Sequence, residues 1–327
     1  MIEKIASILK TEDNFVVVTH VNPDGDALGS LLGMHLALVE MGKRSHAFCA
    51  DKFPAIYDFL PGHEQIISEA VGVAKPPRFI IAVDAAEEKR ISGDISDLRS
   101  GAQLINIDHH TTNPGFGDFN FVQADATSTA ELVHQVLTTA GYKLSPGVGK
   151  CLYTGLVTDT GGFRYEGVNS QTLRLGAEML AAGFESYDVM RPLFEEYPIR
   201  RIYLEKLVLE RVEVLLDGKL VLSVLYFEDF KKFGAEMSET ENLVNRLREN
   251  KGVLAGILFT TMPDNIVRVS FRSKDSLDVS AIAKSLGGGG HYYAAGLKST
   301  LPLQELKERI IRAVAEALDS QTSLTDA

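Results

Sequence analysis

Short apolar runs and longer amphipathic stretches alternate through the first 190 residues. The runs at 15–19, 46–50, 79–83 and 104–107 are nearly unbroken in apolar residues, as expected of strands buried on both faces of a parallel sheet. Between them the spacing predicts helices over 28–41, 128–140, 149–157 and 171–182, the last ending at Gly183. Such alternation builds β-α-β units. The pattern changes after Pro198. A charged helix-like stretch at 200–214 leads to a strand at 220–226, and two β-rich runs at 253–261 and 266–271 flank Met262-Pro263-Asp264-Asn265, a turn sequence that predicts an antiparallel hairpin. Helices are expected over 239–249, 279–285 and 303–318, with a frayed tail from Ser320. The fold class is therefore α/β: a parallel-sheet domain over 1–190, a linker over 191–205, and a smaller mixed α/β domain over 206–327, with an active-site cleft expected between them.

Composition narrows the function. A chain of 327 residues with 45% hydrophobic and 24% charged residues has apolar surface for two cores, which excludes disorder, collagen and coiled coil as overall descriptions. The start mixes charged with apolar residues, and no segment approaches 18 uninterrupted apolar positions, so neither export nor membrane insertion is expected. Cys49 and Cys151 lack C-x-x-C spacing and fall in apolar stretches, as reduced core thiols of a cytoplasmic protein would. The net charge of −11 argues against tight nonspecific binding to long duplex nucleic acid. All the excess acid lies early: residues 1–197 hold 15 Lys+Arg against 26 Asp+Glu, and residues 198–327 hold 18 of each.

Several of those acids stand at strand ends beside histidines. The first run ends in Thr19-His20-Val21-Asn22-Pro23-Asp24-Gly25-Asp26, where Asp26 could also serve as a helix cap. The third ends in Asp84, the fourth in Asp108-His109-His110, and Asp159 closes a short helix just before Gly161. Ligands of open parallel sheets bind beyond the carboxyl ends of the strands. Brought together there, His20, Asp24, Asp26, Asp84, His109, His110 and Asp159 would place four carboxylates in one pocket. Such a set repels itself unless cations neutralise it. Carboxylates and imidazoles without thiolates suit manganese, iron or magnesium better than a structural zinc site, and the set is large enough for two ions.

These motifs, in this order, resemble the DHH phosphoesterase superfamily, whose triplet is Asp108-His109-His110 here. The resemblance extends to the last domain, where Gly287-Gly288-Gly289-Gly290-His291 precedes Ala294-Ala295-Gly296 as in the DHH-associated domain. It implies that His20, Asp24 and Asp84 hold one metal and that Asp26, Asp84, His109 and Asp159 hold the other, with Asp84 as the bridge. It further implies that His110 meets the scissile phosphate or leaving group and that Asp108 orients its neighbours. The implied cofactors are two divalent ions, manganese first, with magnesium, cobalt or iron as alternatives.

The last domain adds a substrate argument. Strand alternation places Arg268, Ser270 and Arg272 on one face, opposite Val269, Phe271 and Ser273. Paired arginines with hydroxyls suit a phosphate, and the amides of Gly289 and Gly290 can cradle an anion beside His291. Arg268, Arg272, Ser273, Gly289, Gly290 and His291 are thus the candidate substrate residues, and the resemblance gives Arg272 and His291 the far end of the substrate. Tyr292 departs from the family, in which a basic residue often follows that histidine. Within the superfamily the domain arrangement resembles bacterial oligoribonucleases and 3'-phosphoadenosine 5'-phosphate (pAp) phosphatases. The expected partners are short single-stranded RNA or DNA oligonucleotides, pAp and dinucleotides such as pApA, with no membrane; a homodimer is compatible with the sequence. A linear or cyclic dinucleotide phosphodiesterase is the alternative. A single-strand exonuclease is expected to need further nucleic-acid-binding domains, and an inorganic pyrophosphatase to lack the glycine-histidine loop.

Overall fold

The computed structural model describes residues 1–70, 73 and 76–325, apart from the side chains of His291 and of 321–325. The chain divides into two compact units, Met1–Glu196 and Tyr197–Ala327. Among the described residues no helix is long and apolar enough to cross a membrane.

In the first unit, β1 (Phe15–Val18), β2 (Ser45–Phe48), β3 (Phe79–Val83), β4 (Gln103–Asp108) and β5 (Phe119–Val122) form a wholly parallel sheet in the order β2-β1-β3-β4-β5. Helices α1 (Ile2–Thr11), α2 (Gly25–Glu40), α3 (Ser96–Arg99), α4 (Thr129–Thr139), α5 (Pro146–Asp159), α6 (Ser170–Leu180) and α7 (Tyr187–Phe194) accompany it. Phe15, Val17, Ile81, Val83, Ile105 and Ile107 pack with Leu31, Val133 and Leu156 in the larger core. Val16, Val18, Ile80, Ala82 and Leu104 face the other way, against Ile91, Ile95 and Leu98. Burial on both faces explains why the strands read as continuous apolar runs. The strand order reverses at β1, which has β2 on one side and β3 on the other. In this doubly wound order, ligand sites open at the carboxyl ends beside that switch.

The approach of α2 to α5 depends on glycine. A Cβ on Gly29 would sit 2.4 Å from the Cys151 carbonyl oxygen, and one on Gly155 would sit 2.6 Å from Asp26 Oδ1. Gly29→Ala should therefore destabilise the first unit by about 1–3 kcal/mol through overpacking. Its urea midpoint should fall with little change in slope. An unchanged midpoint would mean that the two helices separate freely.

In the second unit, β6 (Glu213–Leu215), β7 (Leu220–Leu225), β8 (Ala255–Thr261), β9 (Val267–Ser273), β10 (Gly289–His291) and β11 (Ala294–Ser299) form a mixed sheet in the order β10-β11-β9-β8-β7-β6, with only β7 and β8 parallel. On one face Ile257, Phe259, Val269 and Phe271 pack with Val279 and Ile282 of α11 (Val279–Ser285) and Leu306 and Ile310 of α12 (Leu303–Thr325). On the other, Val221, Leu225 and Leu258 pack with α8 (Arg200–Glu210), α9 (Phe227–Phe233) and α10 (Asn245–Arg248) through Leu204, Val208, Phe230 and Leu247. Two expectations need correction. The helix expected over 239–249 is a 3₁₀ turn, Met237–Thr240, followed by α10, because Asn242 between them takes a left-handed φ of 63°. The tail expected to fray continues α12 to Thr325, since the segment contains neither glycine nor proline.

Candidate metal centre

Three of the motifs leave the sheet at its carboxyl edge, after β1, β3 and β4, and the fourth closes α5. After β1, Asp24 caps α2 by accepting the N–H groups of Asp26 and Ala27 at 3.1 Å each, so the capping role open to Asp26 falls to Asp24. Asp26 is fully buried and points at the first turn of α4. Its Oδ2 accepts the Thr129 N–H at 2.6 Å, and its Oδ1 accepts the Ala130 N–H at 2.9 Å and the Ser30 hydroxyl at 3.3 Å. After β3, Asp84 adopts a left-handed φ of 57°, a conformation that aspartate tolerates better than most residues. It is 2% exposed and accepts the Thr129 hydroxyl at 2.9 Å.

The imidazoles close around Asp84. His20 Nε2 lies 3.4 Å from Asp84 Oδ2 and 4.0 Å from Asp24 Oδ1. His109 Nε2 lies 3.2 Å from Asp159 Oδ2 and 3.8 Å from Asp84 Oδ1, with its Nδ1 3.2 Å from the Ala126 carbonyl oxygen. His110 Nδ1 lies 2.7 Å from Oδ1 of the fully buried Asp108. Asp159 is the last residue of α5, just before Gly161, Gly162 and Phe163, all with positive φ. Arg164 turns back, its Nε donating to the Gly161 carbonyl at 2.6 Å.

Three overlapping groups result, each with ligand atoms within 4.8 Å of one another: His20, Asp24 and Asp84; Asp26, His109 and Asp159; and Asp84, His109 and His110. Burial pushes Asp26 well above the ordinary carboxylate range, aided by the Asp84 and Asp159 charges, and it also raises Asp159. Burial opposes charge on the imidazoles, yet the Asp84 hydrogen bond and the Asp24 charge lift His20 to about 10. Hydrogen bonds to Asp159 and Asp108 likewise raise His109 and His110. Asp84 goes the other way: burial raises it, but the His20 hydrogen bond and the charges of His110, His20 and His109 hold it far below the usual range. A donor set of buried carboxylates and imidazoles, with anions crowded enough to resist ionisation, fits hard or borderline divalent cations.

Three residues of this centre carry no strong sequence signal. Thr129 spans Asp26 and Asp84, although Ser128-Thr129 reads first as a helix start. Asn106 and Asn113 hold each other and, through Asn113, Asp108. The Asn113-Pro114-Gly115 sequence reads as a turn, and only its closeness to the Asp-His-His triplet hints at more.

In the second unit, Arg268 is exposed on β9, and Arg272 is half-buried with its Nη1 donating to the Phe271 carbonyl at 2.9 Å. Ser273 is fully buried on the other face, and its hydroxyl donates to the Tyr292 carbonyl at 3.3 Å. A Cβ on Gly290, whose φ is 147°, would sit 2.4 Å from the Ala294 carbonyl oxygen, whereas one on Gly289 would meet no atom within 4 Å. The His291 backbone pairs with Ala294, while its side chain lies outside the described residues. The Tyr292 hydroxyl donates to the Ser276 carbonyl at 2.6 Å.

The model of the DHH family, N-terminal domain, matches residues 14–156, and that of the DHHA1 domain matches 217–320. A bifunctional oligoribonuclease and PAP phosphatase NrnA of Thermus thermophilus is 35% identical over 317 residues, covering 96% of this chain and 93% of its own. The chain belongs to the DHH family. Another relative of this DHH chain, the bifunctional oligoribonuclease and PAP phosphatase NrnA of Bacillus subtilis, is 30% identical over 87% of this chain and 88% of its own. Among solved structures, an exopolyphosphatase-related protein from Bacteroides fragilis matches the DHH chain with a TM-score of 0.89 at 28% identity, covering 100% of this chain and 97% of the other.

Proposed function

We propose that the protein is a metal-dependent phosphoesterase that hydrolyses short oligoribonucleotides to nucleoside 5'-monophosphates and removes phosphate from pAp. The convergence of three further carboxylates and three imidazoles with the buried Asp84 carries this reading. Near-full-length relatives named as oligoribonucleases and PAP phosphatases support the choice of substrate. His20, Asp24 and Asp84 hold one divalent ion, and Asp26, Asp84, His109 and Asp159 hold a second, with manganese the first choice ahead of magnesium, cobalt and iron. Bound there, such ions supply Lewis acidity toward phosphate oxygens and lower the pKa of water. The protein's own groups do the rest. The Thr129 and Ala130 amides orient Asp26, and Asp108 holds His110 so that Nε2 meets the leaving oxygen and gives it a proton. Cys49 and Cys151, buried and unbridged, support a reducing, cytoplasmic setting.

In the second unit, Arg268, Arg272, Gly289, Gly290 and His291 bind the substrate, and Ser273 ties their strand to Tyr292. Gly289 and Gly290 separate binding from folding. Gly289→Ala has open space for its methyl group, so its melting temperature should be unchanged while KM for a dinucleotide rises about tenfold, about 1.4 kcal/mol of lost binding. Gly290→Ala should unfold more readily, because its methyl group would meet the Ala294 carbonyl. Unaltered kinetics in a folded Gly289→Ala variant would remove the loop from the substrate site.

The reading as a whole is tested by incubating the manganese-loaded protein with end-labelled oligoribonucleotides from the dinucleotide upward, with pAp, pyrophosphate and a cyclic dinucleotide in parallel. Monophosphate release fastest from the shortest oligomers, with phosphate release from pAp, is expected. Turnover confined to pyrophosphate or to long strands would overturn it.

A further inference from the structure

We propose that Asn113 is a positioning residue whose side-chain amide fixes the Asp108 carboxylate and, through it, the orientation of the His110 ring. The inference rests on the reading above, in which His110 faces the leaving group. Asn113 lies in the loop between β4 and β5, five residues beyond Asp108. Its Nδ2 donates to Asp108 Oδ2 at 2.6 Å and Asn106 Oδ1 at 2.8 Å, with the Ala85 carbonyl at 3.2 Å. Its Oδ1 accepts the Gly115 N–H at 2.8 Å. A backbone N–H can only donate, so this bond settles which end of the amide faces the carboxylate. The two N–H bonds of the amide are matched to the two nearest acceptors, and one is a carboxylate.

Asp108 is fully buried, so protein donors must replace the water its anion would otherwise have. Asn113 occupies Oδ2 and His110 Nδ1 occupies Oδ1. Held at both oxygens, the carboxylate cannot rotate without losing a bond, and it keeps a hydrogen on Nδ1 of His110. The opposite nitrogen, Nε2, is then directed to the ligand. Asp84 Oδ1 is the competitor, at 3.7 Å from the same Nδ1. Loosening Asp108 would let His110 turn toward a carboxylate that the metal reading needs elsewhere. Asn113 therefore acts at a distance from the reacting atoms, on a ring whose Nδ1 lies 2.7 Å from Asp108 and 3.7 Å from Asp84.

The test compares Asn113→Ala and the equal-sized Asn113→Asp, which sets a second carboxylate against Asp108, with wild type. Expected are a fall in kcat of about 10–100-fold on a dinucleotide, little change in KM, and unchanged bound manganese. In an Asp108→Ala background, Asn113→Ala should cost nothing more, because the residue through which it acts is gone. Long-range ¹⁵N–¹H spectra of the magnesium-loaded protein should show a strongly hydrogen-bonded His110 Nδ1–H in wild type, as the 2.7 Å distance to Asp108 requires, and a weakened Nδ1–H hydrogen bond in both variants. An additive loss in the double variant, or an unaltered His110 spectrum, would overturn the inference. Should wild type itself fail to cleave the dinucleotide, the functional reading falls, while the nitrogen spectra still decide the role of Asn113. Should Asn113→Ala fail to fold, Asn113→Asp carries both readouts.

Discussion

Asp84→Asn is expected to lower turnover of short oligoribonucleotides by more than about 10³-fold while the protein stays folded. Asp84 belongs to two of the three ligand groups and is the one carboxylate within 4 Å of all three imidazoles of the centre. The substitution keeps the size of the side chain and a residue type that accepts left-handed backbone, which matters at φ 57°. The Thr129 hydroxyl can still donate to an amide oxygen in place of the carboxylate. What disappears is the charge that both proposed ions share. Circular dichroism should therefore match wild type, and elemental analysis should find fewer than two divalent ions per chain. Activity within tenfold of wild type, at full metal content, would end the bridging role.

Removing divalent ions with a chelator should abolish turnover and lower the melting temperature, and manganese should restore both. The physical cause is the crowding of buried anions: Asp26 is fully buried, and its carboxyl is pushed up by burial and by the charges of Asp84 and Asp159. A cation held at a hundred times its Kd stabilises by about 2.7 kcal/mol, or roughly 5–10 °C for a unit of this size. Among the described residues, all three groups able to hold an ion lie within Met1–Glu196. Calorimetry that resolves two transitions should thus show manganese moving one and leaving the other. Equal stabilisation of both, or turnover that survives exhaustive chelation, would contradict the placement of the ions.

The sequence shows the centre of each unit more clearly than its edges. β1, β3 and β4 are buried on both faces, so their apolar runs stand out, and the acids and histidines that close them mark the site directly. β5 escapes notice because Phe119-Asn120-Phe121-Val122 is half-exposed at the sheet edge. β11 escapes for another reason: Ala294-Ala295-Gly296 has no strand preference of its own and is held by pairing with β9. The amphipathic α1 and α7 also pass unread, the first behind its charged interruptions and the second with Pro192 inside it. At the site, titratable residues announce themselves by type, whereas Thr129, Asn106 and Asn113 act through hydrogen bonds across 45, 7 and 5 positions that no local pattern encodes.

A sheet whose strands all run one way has two unlike rims, and this offers a practical handle. The acids and histidines that follow β1, β3 and β4 leave from one rim. The other receives the end of α1, where Lys10 is exposed and its carbonyl accepts Lys43 Nζ at 2.7 Å. Strands of four to six residues separate the rims by about 13–20 Å. Because Cys49 and Cys151 are both buried, Lys10→Cys would install the most accessible thiol of the molecule on that rear rim. A fluorophore or a bead attached there would ride on the rigid sheet without masking the reacting edge, so single molecules could be watched through successive rounds of cleavage.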